Sequence, residues 1–205
     1  MSVPARVASG IGILCLSVAL FATGSTAMGQ ATPTGETIEA PIVNAGGETV
    51  GTLHVSESET GVTFSVILNA GALAPGEHGI HIHETGSCDS AGEMAFELAG
   101  DHFNPTETHH GAPEAEMSHA GDLGNLTASE DGSADFTIST ERVTLVPGET
   151  TSLADADGSA LLIHSEADDL TTDPSGESGD RVLCSVVAAS TSATPGTSPV
   201  ASPVA

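Results

Sequence analysis

Residues 61–68 read GVTFSVIL, where Val62, Phe64, Val66 and Leu68 alternate with Thr63, Ser65 and Ile67. A period of two sends alternate side chains to opposite faces, so the stretch reads as a strand with one buried face. Phe136 and Ile138 alternate likewise with Thr137 and Ser139, and shorter runs recur near residues 37–43, 50–56, 79–84, 125–129, 159–165 and 181–187. Turn formers separate them: Ala45-Gly46-Gly47, Glu59-Thr60-Gly61, Asp131-Gly132 and residues 155–158. The pattern predicts an all-β domain, an antiparallel sandwich or flattened barrel of seven or eight short strands. With no Trp or Tyr, its core falls to Val, Ile, Leu and Phe. Residues 87–123 and 168–180 do not alternate and are expected to be two long functional loops.

The ends read differently. Arg6, an apolar run over residues 11–22 and small residues at 25–27 have the order of a cleaved export signal, placing the signal at 1–27. Residues 28–36 read as a linker, residues 37–189 as the folded domain, and 190–205, rich in Ser, Thr, Ala and Pro, as a disordered tail. An exported domain works outside the cytoplasm, where disulfides persist, and the only cysteines beyond the signal are Cys88 and Cys184. One bridge between them is expected, closing a loop for which chain entropy gives about 4–5 kcal/mol. Lys and Arg total 3 against 28 Asp and Glu, a formal net charge of −25. Such a chain repels nucleic acid. After signal removal no segment suits stable membrane insertion, and no interface for a homodimer is legible.

Eight of the nine histidines fall between His78 and His164, a density that points to metal. His81 and His83, two apart on a strand, project from one face, as two ligands of one ion must. His102, His110 and His119, with Asp122 three residues later, offer three imidazoles and a carboxylate, a closed tetrahedral set of the kind zinc prefers. His164, on a late strand, can complete a nitrogen-rich set with His81 and His83. Two neighbouring sites with one histidine to share result.

Six segments then resemble, in order and in most spacings, the copper/zinc superoxide dismutases: GEHGIHIHETGSC from Gly76, HFNP from His102, HGAP from His110, HAGDLGN from His119, HSEADD from His164 and RVLC from Arg181. The resemblance covers residues 37–187 and implies an antiparallel Greek-key β-sandwich or flattened barrel of about eight strands. It implies dismutation of superoxide, the substrate, to oxygen and hydrogen peroxide by copper cycling between Cu(II) and Cu(I). It implies copper on His81, His83, His102 and His164, zinc on His102, His110, His119 and Asp122, and His102 as the bridging imidazolate. Asp168 would orient His81 and His110, Cys88–Cys184 would be the family disulfide, and Arg181 would dock the anion beside copper. His78 would be structural, while His54 matches nothing and His109 is a competitor that the spacing from His102 disfavours. A non-catalytic copper and zinc carrier on the same fold is the alternative.

Two departures stand out. The loop before Arg181 is shorter than in familiar eukaryotic members and offers Asp173, Glu177 and Asp180 with no Lys, which predicts weak or inverted electrostatic steering. The loop from Cys88 to His102 is longer, leaving its conformation open.

Overall fold

The computed structural model describes residues 37–188. The expected export signal, the linker and the terminal tail lie outside the described residues. Eight strands follow one another: β1 (Thr37–Asn44), β2 (Thr49–Ser58), β3 (Gly61–Leu68), β4 (Gly76–His83), β5 (Asp122–Ala128), β6 (Ala134–Thr140), β7 (Ser159–His164) and β8 (Arg181–Ala188). They form one antiparallel sheet in the order β5-β4-β7-β8-β1-β2-β3-β6. Its two end strands, β5 and β6, are joined by a tight turn in which Ser129 N–H donates to Ser133 O at 2.8 Å, so the sheet curls into a nearly closed barrel. The chain crosses between halves of the sheet from β3 to β4 and from β6 to β7, the Greek-key connectivity the resemblance implied.

Strand β3 shows why the alternation was informative. Val62, Phe64 and Val66 are fully buried and Leu68 nearly so, while Ile67 on the outer face is 46% exposed. Opposite them on β2 stand Val55, paired with Phe64, and Leu53, paired with Val66. Each such side chain removed from water contributes roughly 1.5–3 kcal/mol before entropy is counted.

Strands β4 and β7 differ because both of their faces are covered. Ile80, Ile82, Leu161 and Ile163 point into the main core. On the outer face, Ala160, Leu162 and Cys184 make a second cluster with Phe96 and Ala99 from the long loop after β4. That loop folds through a 3-10 turn at Glu97–Ala99 and is tied to β8 by a disulfide between Cys88 and Cys184, whose Cα atoms are 5.6 Å apart. The expected bridge is therefore present.

Beyond the two long loops expected, a third long connection, residues 141–158, is also ordered on the barrel by buried Val143 and Leu153 and by an isolated pairing of Thr144 with Ser152. Two anchors ten residues apart carry no period, so the sequence pattern did not reveal this loop.

Candidate metal centre

His81 and His83 stand on the outer face of β4, and His164 ends β7 on that same face. His102 reaches them from the long loop through an antiparallel bridge with His83. One ring nitrogen from each of these four buried side chains lies within 4.8 Å of the others. Those nitrogens are His81 Nδ1 and the Nε2 atoms of His83, His102 and His164, all buried with no hydrogen-bond partner. Buried polar atoms are normally satisfied, and four converging orphans are accounted for together by one cation.

The opposite nitrogens are committed. His81 Nε2–H donates to Asp168 Oδ2 at 2.8 Å, His83 Nδ1–H to Gly100 O at 2.9 Å and His164 Nδ1–H to Gly179 O at 3.3 Å. With the protons held there, the converging nitrogens present lone pairs, the form in which imidazole binds metal.

A second set is built around Asp122, the first residue of β5. Its Oδ1 lies 2.9 Å from His102 Nδ1, 3.1 Å from His110 Nδ1 and 3.3 Å from His119 Nδ1. Ligands held 2.0–2.1 Å from a tetrahedral ion sit about 3.3 Å apart, so the three distances from Oδ1 are near the spacing zinc requires, while the donors lying within 4.8 Å of one another here are those of His81, His102, His110 and Asp122. Oδ2 of the same carboxylate accepts the backbone N–H groups of Gly111 and His119, each at 3.0 Å, which fixes its direction. Asp168 ties the two sets: Oδ2 faces His81 and Oδ1 accepts from His110 Nε2–H at 2.9 Å.

The charges follow from this packing. Burial lowers the pKa of His81 to about 4 and of His164 to about 3, and holds His83 well below 6.5, so these rings are neutral. Burial also lowers that of His119. For His110, burial is outweighed by its hydrogen bonds to Asp122 and Asp168, which raise it to about 10. Burial opposes ionisation of Asp122 and Asp168, but their histidine partners prevail and both carboxyls stay well below the usual range.

The remaining candidates separate clearly. Arg181 sits with His83, His102 and His164 on the wall of a pocket of about 480 Å³. Its guanidinium donates to Phe96 O at 2.9 Å and Gly100 O at 2.6 Å. His109 is kept out of both sets: its side chain is 84% exposed and Nδ1 bonds Asp173. His78 ties backbone to backbone, through His164 O at 2.8 Å and Ala74 O at 2.9 Å. His54 lies on the β2 surface near Glu39.

The model of the copper/zinc superoxide dismutase (SODC) family matches residues 49–187. The chain belongs to this family. Its family cofactors are copper and zinc, and the two donor sets suit them. A Cu-Zn superoxide dismutase of Deinococcus radiodurans is 35% identical over 189 residues, 88% of this chain and 96% of that protein. The superoxide dismutase-like protein YojM of Bacillus subtilis is 36% identical over 144 residues, 70% of this chain and 71% of its own. Among solved structures, a double mutant of a SOD-like protein from Bacillus subtilis, with histidines replacing a tyrosine and a proline, aligns with TM-score 0.66 at 39% identity, covering 73% of this chain and 96% of that one.

Sequence reading missed several residues that hold the family's site in shape. Asn125 clamps the backbone of Asp168, accepting its N–H at 2.7 Å and donating to its carbonyl at 2.9 Å. Gly176 has φ 66°, and a Cβ there would fall on the Asp168 carboxylate. Phe96, fully buried, seats the loop whose carbonyls hold Arg181. Gly176 lies in a loop without period, and Asn125, though on β5, meets its partner 43 residues away, so only the contacts expose them.

Proposed function

We propose that the chain is an exported superoxide dismutase. Copper would be held by His81 Nδ1 and by Nε2 of His83, His102 and His164, and zinc by Nδ1 of His102, His110 and His119 with Asp122. The observation that carries this reading is His102: its Nδ1 lies 2.9 Å from Asp122 while its Nε2 is a buried, unpartnered member of the other set. A ring so placed can touch two ions at once. The disulfide supports an extracytoplasmic setting.

Bound copper supplies a one-electron couple, so one superoxide leaves as oxygen and a second, with two protons, leaves as hydrogen peroxide. Arg181 docks the anion, its guanidinium aimed by loop carbonyls, with Asp101 and Glu97 near enough to act on its charge. His102 Nε2, the nitrogen not committed to Asp122, is the atom able to hold and return one of those protons. Asp168 and Gly100 keep the rings aimed by holding their outer N–H groups.

A carrier without turnover is the second reading, favoured by the name of the Bacillus subtilis relative, which is only dismutase-like. Superoxide removal by the chain loaded with both metals distinguishes them. The dismutase reading expects removal well above an equal concentration of buffered copper, and Arg181→Ala slowing it with both metals retained. Full metal occupancy with no removal above that background sinks it and leaves the carrier.

A further inference from the structure

Among the described residues the only guanidinium or ammonium groups are those of Arg142 and Arg181, and the ion pairs are all made by histidines. Arg181 faces the copper side. Arg142, just after β6, spends its guanidinium on the turn that leads into His119. Its Nη1 donates to Pro113 O at 3.2 Å and to Ser118 Oγ at 2.6 Å, and its Nη2 donates to Ser118 O.

These acceptors sit at the two ends of the turn. Ser118 is 1% exposed, and its hydroxyl donates onward to Ala112 O at 2.8 Å and Ala115 O at 3.1 Å. The carbonyl of Ser118 also takes the Thr108 hydroxyl at 2.8 Å. The next residue is His119, whose backbone N–H is bonded to Asp122 Oδ2 and whose Nδ1 approaches Asp122 Oδ1 at 3.3 Å. A planar fork spanning Pro113 and Ser118 fixes the turn in two directions, which a point charge does not.

We propose that Arg142 is a positioning residue for the zinc set: it clasps residues 113 to 118 from outside the loop and so decides where the His119 ring stands relative to Asp122. The inference rests on the zinc reading given above. Its location explains why a chain so poor in cations keeps one here, on carbonyl oxygens and not on any of its many carboxylates. It also separates the two metals: among the described residues the hydrogen bonds of the Arg142 guanidinium go to Pro113 and Ser118 and none goes to His81, His83 or His164, so its removal should act chiefly on the zinc set.

The test uses the full exported chain and cobalt(II) as the optical probe of the zinc set, with zinc affinity from chelator competition. The parent is expected to give the intense visible bands of four-coordinate cobalt. Arg142→Met should weaken cobalt and zinc roughly 10–100-fold and alter those bands, while copper affinity at the other set moves less than about 3-fold. Arg142→Lys should recover only part of the loss, because an ammonium cannot span both carbonyls. If Arg142→Met is not obtained folded, Arg142→Lys and Ser118→Ala, which removes one acceptor of the fork, should each shift zinc in the same direction by less. Unchanged cobalt bands and affinity overturn the proposal, as does an equal loss of both metals that tracks a lower melting temperature. A parent chain that fails to give four-coordinate cobalt refutes the zinc reading itself, and the role of Arg142 falls with it.

Discussion

Asp168, which is in neither proposed ligand set, bonds a ring of each, so its loss should disturb both, and Asp168→Asn is the sharpest way to disturb it. The carboxylate accepts from His81 Nε2–H at 2.8 Å and His110 Nε2–H at 2.9 Å, and neither its side chain nor theirs is exposed. Asparagine has the same shape but only one acceptor oxygen. Whichever way its amide lies, one imidazole N–H faces an NH₂, and turning that ring to escape moves its other nitrogen away from the metal. A buried donor left without a partner costs about 1–3 kcal/mol, and groups that orient metal ligands are typically worth 10–100-fold in affinity. That range equals about 1.4–2.8 kcal/mol, so the two considerations agree. Measured by chelator competition, copper, zinc or both should therefore bind about 10–100-fold more weakly in Asp168→Asn than in the parent. The backbone of Asp168 stays clamped by Asn125, so the loop should remain in place and circular dichroism should not change. Dissociation constants for both metals within about 2-fold of the parent's would refute the idea that Asp168 orients these rings, since losing a partner of that kind weakens binding by about tenfold or more.

Acid, packing and salt each give a further check. With metals stripped, the buried neutral His81 and His164 take up protons only near pH 4 and 3, against about 6.5 when unfolded, so stability should fall as pH drops from 6.5 toward 4. His110 has the opposite sign, raised to about 10, so its contribution is full below 6.5 and lost as pH climbs toward 10; urea midpoints should peak near neutrality, and a midpoint that rises on acidification refutes this. Phe96→Ala removes the only aromatic of the outer cluster and should cost about 3–5 kcal/mol, lowering the melting temperature by on the order of 10 °C; a change under about 2 °C in calorimetry means the loop is held by the disulfide alone. The acidic chain, net charge −25, gives superoxide no attractive long-range field beyond Arg181 and the metal site, so kcat/KM should stay flat or rise as the Debye length shrinks from about 30 Å at 0.01 M salt to about 8 Å at 0.15 M. A steep decline in stopped-flow rate over that range overturns it.

The structure also changes how one acidic residue is understood. Asp173 reads in sequence as one more repulsive charge of the loop before Arg181. In the fold it accepts from the His110 backbone N–H at 2.6 Å and from His109 Nδ1 at 2.8 Å, and so joins that loop to the histidine loop. Its charge still opposes an approaching anion, but its position is that of a fastener.

What the sequence by itself determined was local and periodic. The two-residue alternation of Val62, Phe64, Val66 and Leu68 requires a strand with one wet face, because the pleat leaves no other arrangement that buries all four. The spacing of His81 and His83 likewise put both rings on one side of β4, and the matching motifs brought His102, His110, His119, Asp122 and His164 to notice before any contact was known. Which nitrogen of each ring faces inward was decided only by tertiary structure, since it depends on acceptors far away in the chain: Asp168 for His81, Gly100 for His83, Gly179 for His164. The same holds for Asn125, Phe96 and Arg142, whose partners lie 43, 85 and 24–29 residues distant. A strand's pattern is written by its own neighbours, whereas the aim of an imidazole is set by whatever group the fold carries to its far side.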